Sequence, residues 1–203
     1  MTKPPARVAL VSVALALATM AGSQADASVS IAVSYDALVH DSTAVTVATA
    51  TEARAVWEDG RIVTYTHLHV DRSIAGALPT NSEPWVASLG GIVGTIGQVV
   101  DGEPTLRVGM PYLLFLRPDS TATQGVFIVT ARAQGQFHLK AATSGATPAA
   151  SGAVQVKRNP GVGEILPPRG VTTTKAAADA IADRNLDDVA KDIATAWAKS
   201  HAK

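Results

Sequence analysis

His67 and His69, in the stretch "RIVTYTHLHVDR", are the first pair in this chain whose spacing could do chemistry. On a strand, side chains alternate between faces, so residues two apart project from the same side. Two imidazoles placed that way could begin a transition-metal site if a third ligand approached. Asp71 falls on that face by the same alternation. Cysteine is absent, however, and neither His40 nor His138 has a spacing that points to the pair. Histidines on an outward strand face are commonly just solvated, and that is the reading taken. No metal and no cofactor is expected, with His67 and His69 as the metal candidates if one binds.

The glycine-rich stretch "SLGGIVGTIGQVVDGEP", residues 88–104, raises a second question. Gly91, Gly94 and Gly97 give a G-x-x-G-x-x-G spacing. A dinucleotide fingerprint needs G-x-G-x-x-G between a strand and a helix, so that the helix N-terminus meets the pyrophosphate. A phosphate loop needs Gly-Lys-Ser/Thr. Neither is present, and the flanks "WVASL" and "QVVDGEP" are both extended in character. The glycines therefore predict a β-excursion in which backbone packs closely on its neighbours. The chain also lacks a G-x-S-x-G elbow, an S-x-x-K pair and an H-E-x-x-H helix, so no enzyme activity is expected. Trp57 and Trp85 are the candidate partner-binding residues, because tryptophan is enriched at binding hot spots. The alternative for a tryptophan beside a hairpin turn is that it folds back over the end of a barrel.

Several elements must position these residues. Ser34 caps a short helix over "YDALVHDS" with Leu38 and Val39 inward. "TAVTVATATEARAV" alternates as a strand, and Asp59-Gly60 turns it into the next. In that next strand Ile62, Thr64, Thr66, Leu68 and Val70 face inward, while Tyr65, His67 and His69 face outward. "WVASL" is a further strand. Residues 112–116, bounded by Pro111 and Pro118, read as a strand buried on both faces. "GVFIVTARAQGQFHLK" reads as one more strand, bent or interrupted near Gly135. About five strands between residues 44 and 140 fit an all-β sandwich or a small barrel. Residues 141–171, rich in Ala, Ser, Gly and Pro, read as a flexible loop or linker. From residue 172 the chain turns helical. Asn185 caps "LDDVAKDIATAWAKS", which shows Leu186, Val189, Ile193 and Trp197 on one face and docks through Trp197.

Of 203 residues, 17 are Lys or Arg and 17 are Asp or Glu. That balance gives no electrostatic footprint for nucleic acid, and a 4% aromatic share is too thin for base-stacking rows. Lys3 and Arg7 precede an apolar run over residues 8–22, and Ala25-x-Ala27 follows. This is the pattern of a signal peptide over residues 1–27, cut between Ala27 and Ser28. An uncleaved anchor is the alternative, but the run is shorter than the about 20 residues a span needs. The expectation is a periplasmic or extracellular protein with no membrane span after cleavage. Without cysteine no disulfide can form, so stability must come from packing.

One pattern runs from "LVHDSTAVTVATATEARAVWEDGRIVTYTHLHVDRSIAG" through "GGIVGTIGQVVDGEPTLRVGMPYLLFL" to "AQGQFHLK". It resembles a group of exported bacterial proteins of unassigned function. Their barrel is similar to the OB-type domain of tissue inhibitors of metalloproteases and of netrin-like modules. The resemblance covers residues 35–140, with "LDDVAKDI" echoing a tail helix. It implies a mainly β fold: a five-stranded OB-like barrel over residues 28–140, with a short N-terminal helix and C-terminal helices over residues 172–203 docked on it. The animal inhibitors rely on an N-terminal cysteine that binds the protease zinc. Here the expected mature end is Ser28, so no inhibitory residue is carried over. The resulting expectation is an exported, non-enzymatic binding module whose partner is a protein, with a secreted protease as the candidate. The alternatives are an envelope carrier holding a small ligand or polysaccharide at the barrel mouth, and a metal-dependent hydrolase built on His67 and His69.

Overall fold

The computed structural model describes residues 29–121, 125–141, 153–169 and 175–202. The expected signal peptide and its Ala27–Ser28 cleavage point lie outside them, as do residues 142–152 and 170–174 of the expected linker and helical tail. Val29–Ile31 form strand β1, and Ser34 caps helix α1, Tyr35–His40, its hydroxyl accepting from the Ala37 amide at 3.2 Å. Strands β2 (Ala44–Glu58) and β3 (Arg61–Gly76) follow. Asp59 and Gly60 join them with φ of 49° and 78°, the left-handed pair that a tight hairpin turn requires. Next come β4 (Trp85–Leu89), β5 (Gly91–Val93), β6 (Ile96–Gln98), β7 (Pro111–Pro118), β8 (Val126–Val129) and β9 (Gln136–Ala141). The chain ends with β10 (Val154–Arg158), β11 (Glu164–Leu166), α2 (Ala177–Ile181) and α3 (Leu186–Ser200).

The main sheet runs β10-β9-β7-β2-β3-β4-β8, and β7 also pairs with β8. That extra pairing closes β2, β3, β4, β8 and β7 into a five-stranded barrel, as expected. All neighbours are antiparallel except β4 and β8. Taken in chain order the barrel strands run 1-2-3-5-4, an OB-like closure. Separately, β1 and β11 form a small parallel pair.

Alternation decides what fills the barrel. Leu68, Val70, Val86, Leu114, Leu116, Val129 and Tyr112 point inside, where Ala44, Ala48 and Ala50 on β2 leave room for them. The intervening residues of β2, β7, β9 and β10 build a second layer: Val45, Leu113, Phe115, Phe137 and Val156 pack beneath Leu38, Ile181, Val189 and Ile193 of the helices. The apolar run of β7 is therefore buried on both faces because barrel lies on one side and helices on the other.

Two expectations are sharpened and one is corrected. Residues 126–140, read as a strand bent or interrupted near Gly135, are two strands parted by the 3₁₀ turn Arg132–Gly135 that begins after left-handed Ala131. The chain has to break there because both strands use the same edge of β7: β8 pairs near Leu116 and closes the barrel, and β9 pairs near Tyr112 and leaves it. The expected linker contains β10, paired with β9 from Val154↔Ala141 to Arg158↔Phe137. Its far edge is capped by the Asp183–Asn185 backbone, with the Val156 amide donating to the Arg184 carbonyl at 3.0 Å and the Val156 carbonyl accepting from the Asp183 amide at 2.8 Å. Finally, α3 docks chiefly through Val189, Ala190 and Ile193, with Trp197, partly buried, packed against the same layer and stacked on His201 at 3.9 Å.

Candidate functional site

Strands β2, β3 and β4 present one outward face on which the side chains touch in rows. Glu52, His67 and Trp85 form one row, and Arg54, Tyr65 and Ala87 form the next. The His67 ring lies 4.6 Å from that of Trp85. The Arg54 guanidinium stands 5.1 Å from the Trp85 ring and 6.0 Å from Tyr65, within the range of cation–π attraction. The Tyr65 hydroxyl donates to the Glu58 carboxylate, whose oxygens lie 2.9 Å away. Burial, and then that hydrogen bond, push the Tyr65 phenol above its ordinary pKa, so it stays a donor at neutral pH.

His67 and His69 do share this face, and the group opposite both is Glu83, at 3.9 Å and 3.7 Å. Asp71, the third ligand suggested by spacing, instead accepts from the Thr49 hydroxyl at 2.7 Å. The reason is a bulge. Ala48 pairs with Val70 and Val47 with Arg72, which leaves Asp71 itself as the extra residue on β3, and a second bulge, between Ala50 and Glu52, leaves Thr51 extra on β2. Its hydroxyl sits 3.1 Å from His67 Nδ1. Among the described residues no group of three or more His, Cys, Asp or Glu is arranged to hold a metal ion.

Trp57 belongs to the other face. It pairs with Ile62 on the inward side of the β2–β3 hairpin, where that hairpin outruns the barrel. The short β5–β6 hairpin covers this projecting face. The Gly90 amide donates to the Ile62 carbonyl at 2.7 Å, and the Thr64 hydroxyl donates to the Gly90 carbonyl at 2.6 Å. Gln98 Oε1 takes the Ile62 amide at 2.6 Å. Gly91, at φ +132°, sits where a Cβ would collide with the Thr64 hydroxyl and press on Ala55 at 3.1 Å. The glycines thus serve close backbone packing, and the stretch leads into a strand rather than a helix.

The consequence of that packing is an apolar surface. With its backbone committed to the barrel end, the hairpin turns Ile92 and Ile96 outward, 72% and 53% exposed, followed by Val99 at 91%; Trp57, on the face of the β2–β3 hairpin that it covers, is 48% exposed. Large apolar side chains this exposed and this close in the chain mark interaction surfaces more often than chance would place them. Of the residues singled out from sequence, His67, His69 and Trp85 gather on one face, and Trp57 stands apart. Sequence reasoning missed Arg54 and Glu83, whose roles depend on cross-strand register, and Ile92 and Ile96, which the glycines around them obscured. No protein-family model matches this chain, and no curated protein matches it.

Proposed function

We propose that this chain is an exported binding module for a protein partner, held through the barrel end formed by Trp57 and the β5–β6 hairpin. The observation that carries this reading is the exposure of Ile92, Ile96 and Val99 within eight residues of one another and of Trp57 on the face their hairpin covers; Ile31, Val108, Met110 and Leu166 are the other large apolar side chains exposed among the described residues. Export rests on the N-terminal Lys3, Arg7, apolar run and Ala25-x-Ala27. A secreted protease is the first partner to test, on the strength of the resemblance; no inhibitory residue is assigned. A small ligand inside the barrel is disfavoured because Tyr112, Leu68, Leu114 and Leu116 fill that space.

The test is affinity capture on immobilised residues 28–203 from the extracytoplasmic fraction of the source cells, read by mass spectrometry. Combining Trp57→Ala with Ile92→Ser is expected to weaken capture at least about tenfold, as loss of a hot spot does. Trp85→Ala, on the other face, is expected to leave capture unchanged. The reverse pattern would move the contact to the β2–β3–β4 face, and an empty capture would sink the stable-partner reading. Gly91→Ala should act like the double variant by lifting the hairpin off Thr64. Its accompanying stability loss is about 1–3 kcal/mol by overpacking, checked by thermal unfolding.

A further inference from the structure

A cleft of about 480 Å³ opens between α1 and α3, on the opposite layer from the barrel end discussed above. Tyr35, Asp36 and Val39 line it from α1, and Asp192, Ala196 and Lys199 from α3. The helices run side by side in the same direction: the Asp192 charge acts on Tyr35 at one end, and His40 lies 6.2 Å from His201 at the other. Asp192 and Lys199 are thus about 10 Å apart along the helix, at about 1.5 Å per residue.

The polar groups of the cleft are unevenly committed. The Tyr35 hydroxyl is buried and makes no hydrogen bond among the described residues. Burial first, and then the Asp192 carboxylate, push its pKa up to about 12, partly offset by Arg184, so it keeps its proton. Thr195 and Ser200 already donate to the Lys191 and Trp197 carbonyls, which leaves them only as acceptors. Asp192 is shared with Arg184 at 2.7 Å. Asp36 and Lys199 make no ion pair among the described residues. One end of the cleft therefore carries negative charge, the other positive charge, and between them lies an apolar floor.

We infer that this cleft binds a short, extended peptide with free termini, its ammonium at Asp36 and Asp192 and its carboxylate at Lys199. The Tyr35 ring walls the cleft, its hydroxyl closed off from the peptide, and small side chains rest on Val39 and Ala196. Length follows from the span: three extended residues cover about 10 Å. A polyamine would leave Lys199 opposed by like charge, and a dicarboxylate would do the same at Asp36 and Asp192.

The test uses trialanine with free termini, titrated into the isotope-labelled mature chain and followed by NMR. Saturable shifts are expected at the amides of α1 and the second half of α3, with binding in the range of about 0.1–1 mM. N-acetylated, C-amidated trialanine should bind at least about tenfold more weakly, and Lys199→Ala should show a similar loss that Lys199→Arg restores. Tyr35→Phe should leave binding within about twofold while its Tm stays at or above that of the parent, because the substitution removes an unsatisfied hydroxyl closed off from the cleft. Equal shifts with the blocked peptide, or no saturable shift with the free one, would overturn the inference. Neither result bears on the Trp57 surface, which the capture experiment tests separately.

Discussion

Phe137→Ala is expected to destabilise the protein by about 3–5 kcal/mol, the range for truncating a fully buried aromatic. Phe137 is fully buried on β9, edge-on to Phe115 with ring centroids 6.1 Å apart. It belongs to the layer that joins the barrel to Val156 on β10 and to Val189 and Ile193 on α3. A cavity here is bounded by a sheet on one side and helices on the other, so only the helices could collapse into it. For a chain of this size the loss corresponds to a fall of about 6–20 °C in Tm. Calorimetry should show one transition at the lower temperature, since the same side chain holds both layers. A shift under about 1 kcal/mol would mean that α3 settles onto the sheet with little strain. Two separated transitions would mean that the helical layer and barrel melt independently.

That layer also shows which parts of the fold were legible in the sequence. The inward set of Ile62, Thr66, Leu68 and Val70 was readable because one face of β3 meets a packed barrel interior, where an error of one residue would bury histidines. The Asp59-Gly60 turn was readable because few residue pairs tolerate two positive φ values in succession. Tertiary competition was not readable. The split between β8 and β9 exists because two segments need one edge of β7, and no local propensity encodes that. β10 was missed for a related reason. "VQVKR" alternates as a strand should, but its alanine-, glycine- and serine-rich surroundings outweighed five residues whose partners lie elsewhere in the chain.

The site was legible to the same degree. Placing His67 and His69 together needed only strand periodicity, which held. Choosing Asp71 as their companion failed because periodicity stops at a bulge: Asp71 is itself the extra residue on β3, and Glu83, which alternation on β3 could not nominate, faces the pair instead. Trp57 and Trp85 looked alike in sequence, yet strand register puts them on opposite faces of the β2–β3–β4 sheet. The two candidate contact surfaces can therefore be perturbed one at a time.

Gln136→Leu carries the second large effect and links the core to the proposed contact surface. Gln136 is fully buried, and its side chain behaves like a short piece of strand. Its Nε2 donates to the Thr105 carbonyl at 2.7 Å, while Oε1 accepts from the Thr105 amide at 3.0 Å and from Asn159 Nδ2 at 2.7 Å. Leucine fills the volume but leaves Thr105 and Asn159 without these partners. Asn159 is itself buried, so water cannot replace the lost bond there, whereas Thr105 is exposed and partly recovers. The expected cost is about 2–4 kcal/mol, combining one fully and one partly unsatisfied site. Thr105 lies in the segment that returns from the β5–β6 hairpin to β7, and the same segment is pinned by Glu103, which accepts from the Leu89 amide at 3.0 Å and pairs with Arg132 at 3.2 Å. Hydrogen exchange should therefore rise first over residues 99–110, while β2 and β3 stay protected. If partner capture falls in this variant without any change at Trp57, the hairpin must be held rigid to bind. Retained capture with a loosened segment would place the whole contact on Trp57, Ile92 and Ile96 alone.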